Sequence, residues 1–130
     1  MAALAWGKKQ GTPVILWGSS YSAALVFGIA ADPAVKAVLA FSPGEYLGDD
    51  APVAAAARQI KAPIFVTSAS DVGEILAANA ILAASPATTK QQHVPATGVH
   101  GSSTLILKRN PTGAAANWTE VLAFLRNVTA

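Results

Sequence analysis

The chain has 130 residues, 52% apolar and 12% charged, with a formal net charge of +2 and no cysteine. One domain, 1–130, is the default at this length, and disulfides and thiolate metal sites are excluded. The charges are scattered rather than gathered into the basic patch of a nucleic-acid surface, and no apolar run approaches the roughly 18 residues of a membrane span.

Residues about 2–10 are helix-like. Their charges, Lys8 and Lys9, follow a very short apolar stretch, the reverse of a secretory signal. The chain is therefore expected to be cytoplasmic. Residues 13–17 (PVILW) read as the first strand and lead into Gly18-Ser19-Ser20-Tyr21-Ser22 and a small-residue helix over about 20–31. A second strand is predicted over 35–41 (VKAVLAF), then a short helix over about 51–59 with Pro52 in its first turn, where the missing N–H costs little. The third strand, 62–68 (APIFVTS), precedes a helix over about 72–84 that stops before Pro86. The fourth strand, 90–95 (KQQHVP), is more polar and suits a sheet edge. Residues about 101–109 and 113–127 look helical. Trp118, Val121, Leu122, Leu125 and Val128 fall at helix-compatible spacing and read as a core-facing stripe.

The first three strands are apolar on both alternating faces, as in a parallel sheet covered on two sides. Strand–helix repetition with short links implies right-handed crossovers. The expected fold is α/β, a three-layer α/β/α sandwich around a short parallel sheet of about four strands. In such sheets chemistry gathers beyond the carboxyl ends of the strands.

The first, third and fourth of those ends carry a reactive residue type. The first strand ends at the serine turn. A tight strand-to-helix elbow needs small residues two positions either side of its apex. Ser20 has Gly18 and Ser22 there, whereas Ser19 has Trp17 and Tyr21. Ser22 is second choice, since it lies further into the helix. The pattern departs from G-x-S-x-G in having Ser22 at the last glycine. The competing reading is a serine N-cap. The third strand leads to Ser68-Ala69-Ser70-Asp71 and the fourth to Gly98-Val99-His100-Gly101. A serine nucleophile needs a base, and the base needs an acid to fix its tautomer. Ser20, His100 and Asp71 can fill those roles. Asp71 can equally cap the helix at Val72, and Glu74, three residues on, can cap or replace it as the acid. His93, inside a strand, reads as structural or as a surface residue.

The order Ser…Asp…His and three segments, VILWGSSYSAALVF (14–27), APIFVTSASD (62–71) and GVHGSSTL (98–105), resemble the α/β-hydrolase fold, nearest its small esterases and dienelactone-hydrolase-like enzymes. The resemblance covers almost the whole chain but corresponds to the C-terminal half of a usual member, a truncated α/β-hydrolase fold. It implies a serine esterase acting on small carboxylic esters. The Tyr21 N–H would be one oxyanion donor, the other normally coming from the absent half. Trp17 and Tyr46, the latter in the 42–48 loop, would line the substrate pocket. No cofactor or metal is expected: there is no phosphate-binding glycine loop, and the two histidines are not at ligand spacing. The strand at 13–17 would be an exposed apolar edge, so a homo-oligomer, a dimer across it, is expected. The alternative is a weak or inactive half acting as a self-associating or partner-binding module. Asn117-Trp118-Thr119 and Asn127-Val128-Thr129 match the glycosylation pattern and are read as chance.

Overall fold

A computed structural model describes residues 2–130. After helix α1 (Ala2–Lys9) come β1 (Val14–Ser19), α2 (Tyr21–Phe27), β2 (Val35–Phe41), α3 (Pro52–Ala57), β3 (Ile64–Thr67), α4 (Val72–Ala84) and β4 (Lys90–His93). A 3-10 helix at Gly101–Leu105 and α5 (Ala114–Thr129) complete the chain. The four strands form one all-parallel sheet in the order β1-β2-β3-β4. The fold is α/β, as the alternating apolar segments imply.

Strand periodicity divides the core in two. Leu16, Val38, Ala40, Ile64 and Val66 face one way, onto Leu4, Ala23, Ala24, Phe27, Val53, Ala57, Ala78, Ile81 and Leu82 of α1–α4. Ala37, Leu39, Phe41 and Phe65 face the other way, onto Leu105 and onto Val121, Phe124 and Val128 of α5. Helices thus cover both faces of the sheet. No helix among the described residues is long and apolar enough to cross a membrane.

The α5 stripe differs from the expected one. The buried positions are Ala114, Asn117, Val121, Phe124 and Val128. They repeat every three or four residues, the spacing of one helix face. Trp118 and Leu122 sit one step around it and stay 39% and 40% exposed. The apolar arc of α5 is wider than the sheet in front of it. Asn117 takes a core-facing place because its amide is fully engaged. It donates to Thr97 O and to Thr104 Oγ1, and its oxygen meets His93 Nε2 at 2.9 Å. A side chain 2% exposed is no glycosylation acceptor, so the sequence match there is fortuitous. His93 is structural, as read.

Register positions the site. Ser19 pairs with Phe41, Phe41 with Thr67, and Thr67 with His93, so the strands finish in one row. The residues that follow emerge together at the carboxyl edge. β1 lies at the end of the sheet and carries Trp17, 42% exposed. Phe124→Ala should lower the unfolding free energy by about 3–5 kcal/mol, because it empties the contact between α5 and Phe65; urea denaturation measures this.

Candidate active site

The site begins with a forced turn. β1 passes into α2 with only Ser20 between them, and Ser20 takes φ 57° and ψ −118°. A non-glycine residue held there costs on the order of 1–3 kcal/mol. Two neighbours make the turn possible. A β-carbon on Gly18 would lie 2.4 Å from Ser22 O and 2.7 Å from Ala23 Cα, so only glycine lets α2 approach the strand. The Ser22 hydroxyl accepts the Ser19 N–H at 2.8 Å and donates to Ser19 O at 2.9 Å. This explains a serine where the usual motif has its last glycine: the side chain closes the elbow from outside.

The Ser20 hydroxyl does not cap α2. It faces His100, with Oγ 2.8 Å from Nε2. The capping reading is thereby replaced, and each of the competing serines has its own task. Ser20 forms the apex. Ser22 locks the elbow. Ser19 holds the histidine loop, its Oγ accepting the Ser102 N–H at 2.9 Å.

The carboxylate partner of His100 is Glu74 rather than Asp71. Asp71 is the N-cap of α4, and its side chain accepts the Glu74 N–H at 3.1 Å. That carboxylate is committed to the helix start. Glu74 sits one turn in, and its longer side chain reaches back across the sheet edge. Its Oε1 is hydrogen-bonded to His100 Nδ1. Its Oε2 accepts from Ala69 N–H at 2.9 Å and from the Ser42 hydroxyl at 2.7 Å. Burial alone would raise the Glu74 pKa. The hydrogen bonds from Ala69, His100 and Ser42, with the attraction of His100, outweigh it and hold Glu74 below the ordinary carboxylate range.

That charge fixes the imidazole tautomer. An ionised carboxylate only accepts, so Nδ1 carries the proton and Nε2 presents its lone pair to Ser20. The hydroxyl–imidazole–carboxylate chain is therefore set to take a proton from Ser20.

Sequence reasoning missed Ser42 as a member of this network. It is fully buried with φ 54°, directly after β2. Its Oγ also accepts the Gly101 N–H at 2.8 Å. The available signal was positional: Ser42 follows its strand as Ser20 follows β1.

His100 is held from below as well. Gly98 N–H donates to Ser70 Oγ at 2.8 Å, tying its loop to the loop after β3. Asn110 Nδ2 donates to Thr97 O and Thr104 O, both at 3.0 Å.

Tyr21, the first residue of α2, has an N–H that no intrahelical acceptor can reach. The Tyr46 hydroxyl donates to Ser42 O at 2.9 Å. Burial raises its pKa, the Glu74 charge adds to the rise, and an interaction with the Ser20 hydroxyl opposes it. Tyr46 thus borders the serine. Trp17 does not show the expected pocket-lining contacts. Its ring packs on the α5 face, with centroids 4.5 Å from Phe41 and 6.3 Å from Trp118.

A hollow of about 460 Å³ beside the imidazole is lined by Val99, His100, Ser103 and Arg109. A larger open hollow, about 1010 Å³, lies at the amino ends of the strands among Asp32, Lys36, Lys61, Pro63 and Thr89. The smaller one adjoins the site at the His100 imidazole. Among the described residues no cluster of three His, Cys, Asp or Glu side chains is placed to hold a metal ion. No protein-family model matches the chain, and no curated protein is detectably similar to it.

The lowered Glu74 pKa has a signed consequence. A carboxyl depressed on folding stabilises the native state above its unfolded pKa, and that contribution disappears as pH falls through the native value. Glu74→Gln should therefore flatten the acid side of the stability–pH curve, measured by urea denaturation between pH 3 and 7 (roughly the carboxylate range).

Proposed function

We propose that this chain is a serine hydrolase of small carboxylic esters, built on an α/β-hydrolase-like arrangement. The observation that carries the reading is the Ser20–His100–Glu74 chain, in the sequence order serine, acid, histidine. Ser20 Oγ attacks the ester carbonyl carbon while His100 Nε2 accepts its proton. The tetrahedral oxyanion takes the Tyr21 N–H as one donor. His100 returns the proton to the leaving alkoxide, which departs as an alcohol. Water, deprotonated by the same imidazole, then cleaves the acyl-serine to acid and free Ser20. Glu74 orients the ring and stabilises its positive charge. Tyr46 lines the acyl or alcohol side.

An ester carbonyl needs more than one donor for full effect, and loss of one costs about 2.7–4 kcal/mol of transition-state stabilisation.

Hydrolysis of p-nitrophenyl acetate tests the reading. Ser20→Ala should abolish turnover and fluorophosphonate labelling. Glu74→Gln should reduce the rate by roughly 10⁴-fold, as loss of the tautomer-fixing acid does in serine proteases. Asp71→Asn keeps a capping oxygen and should leave the rate within about twofold, since Asn caps as well as Asp. Equal rates for wild type and Ser20→Ala would remove Ser20 from the mechanism.

A second copy of the chain is the proposed partner. The support is β1 at the sheet end, with unpaired backbone groups along one side, and the half-exposed Trp17 and Trp118 beside it. Pairing of two such edges about a two-fold axis would join the sheets. Light scattering should give a dimer mass at micromolar concentration, and Trp17→Glu should shift it to monomer. A wild-type monomer under those conditions would refute the association.

A further inference from the structure

We infer that Ser42 is a positioning residue that sets the acid and the base of the site with one hydroxyl. The inference deepens the esterase reading and rests on it only for the consequence for rate.

The geometry is a single bridge. Ser42 Oγ donates to Glu74 Oε2 at 2.7 Å and accepts from Gly101 N–H at 2.8 Å. Glu74 is the carboxylate bonded to His100, and Gly101 is the next residue after His100. Both sides of the His100–Glu74 contact are thus tied to one oxygen. The bridge joins the residue after β2 to α4 and to the 3-10 helix.

Its backbone argues that the hydroxyl matters. Ser42 has φ 54°, a region that glycine adopts freely and a residue with a β-carbon does not. It is completely buried, so solvent does nothing for its hydroxyl. Glycine at 42 would relieve the backbone and fit the space. A serine is explained by the two hydrogen bonds its side chain makes, both fully used. The left-handed turn is also what takes Ser42 out of the strand's alternation and toward Glu74.

Ser42 touches no reacting atom. It acts through Glu74 and the histidine loop. Without it, Glu74 Oε2 keeps the Ala69 N–H but loses one of its two donors, and the Gly101 N–H is left buried without its acceptor. The carboxylate and imidazole then have separate freedom to move.

The test uses the whole chain and two readouts. The first is the proton NMR resonance of His100 Nδ1–H, which a bond to a carboxylate shifts downfield and protects from exchange. It is expected in wild type and in Ser20→Ala and lost in Ser42→Gly, the variant that relaxes the backbone. Ser42→Ala serves as a second variant that keeps the β-carbon. The second is p-nitrophenyl acetate kinetics. Ser42→Gly should lower kcat by roughly 10–100-fold with KM little changed, the size of effect that misplaced catalytic groups produce. The double variant Ser42→Gly/Glu74→Gln should be no slower than Glu74→Gln alone, because the two act through one path. A resonance that persists in folded Ser42→Gly, or single effects that multiply in the double variant, would overturn the role of Ser42. A wild-type protein with the resonance but no Ser20-dependent turnover, and with the resonance lost in Ser42→Gly, would sustain the positioning role and sink the esterase reading.

Discussion

The alignment of the strand ends is the constraint on which the site depends. Ser19, Phe41, Thr67 and His93 lie side by side across the sheet. Parallel pairing is evenly spaced, so a strand displaced by one residue would carry its following loop to another height and turn its side chains to the other face. The apolar residues on both faces prevent that. Leu39 and Phe41 must meet α5, while Val38 and Ala40 must meet the helices opposite. Core packing thereby sets where Ser20, Ser42 and the loop to Glu74 emerge. The polar network needs no freedom of its own to assemble.

Much of this arrangement is legible in the chain because strand periodicity and punctuation agree. The helix over 72–84 has an Asp before it and a Pro two residues beyond its last residue, and α4 occupies that span. Gly18 and Ser22 identify Ser20 as the apex because the elbow's demand for small neighbours is local. The carboxylate is harder to read. Asp71 and Glu74 lie on the same turn, and the decision between them depends on reach. The shorter Asp71 bonds within its own helix; the longer Glu74 arrives at His100 from across the edge. Spacing along the chain holds no record of that distance. Ser42 is harder still, since its partners lie 32 and 59 residues away. The exposed places of Trp118 and Leu122 were illegible for another reason. Helical spacing gives the width of an apolar arc, but the width of the surface opposing it is a tertiary property.

Strain and support are found together in the site. Ser20 and Ser42 both hold positive φ at the ends of adjacent strands. Each is fixed by bonds from outside its own element: Ser20 N–H to Phe41 O at 2.8 Å, and Ser42 N–H to Thr67 O at 2.8 Å. The ladder continues one step past the regular strands and grips the two unusual residues by their backbones. Their side chains are then free to face the imidazole and the carboxylate.

The end position of β1 has one more consequence. It is hydrogen-bonded to a neighbour on one side alone, while β2 and β3 are held on both. A strand held on one side frays more readily than one held on both, and native-state hydrogen exchange would find β1 opening before β2 and β3. Ser20 rides on this edge strand, while the loop of His100 follows the other edge strand, β4, and rests on the buried amides of Asn110 and Asn117. A subglobal opening can therefore detach the hydroxyl from an otherwise intact base. Anything that clamps the rim of the sheet also governs how often Ser20 and His100 stand face to face.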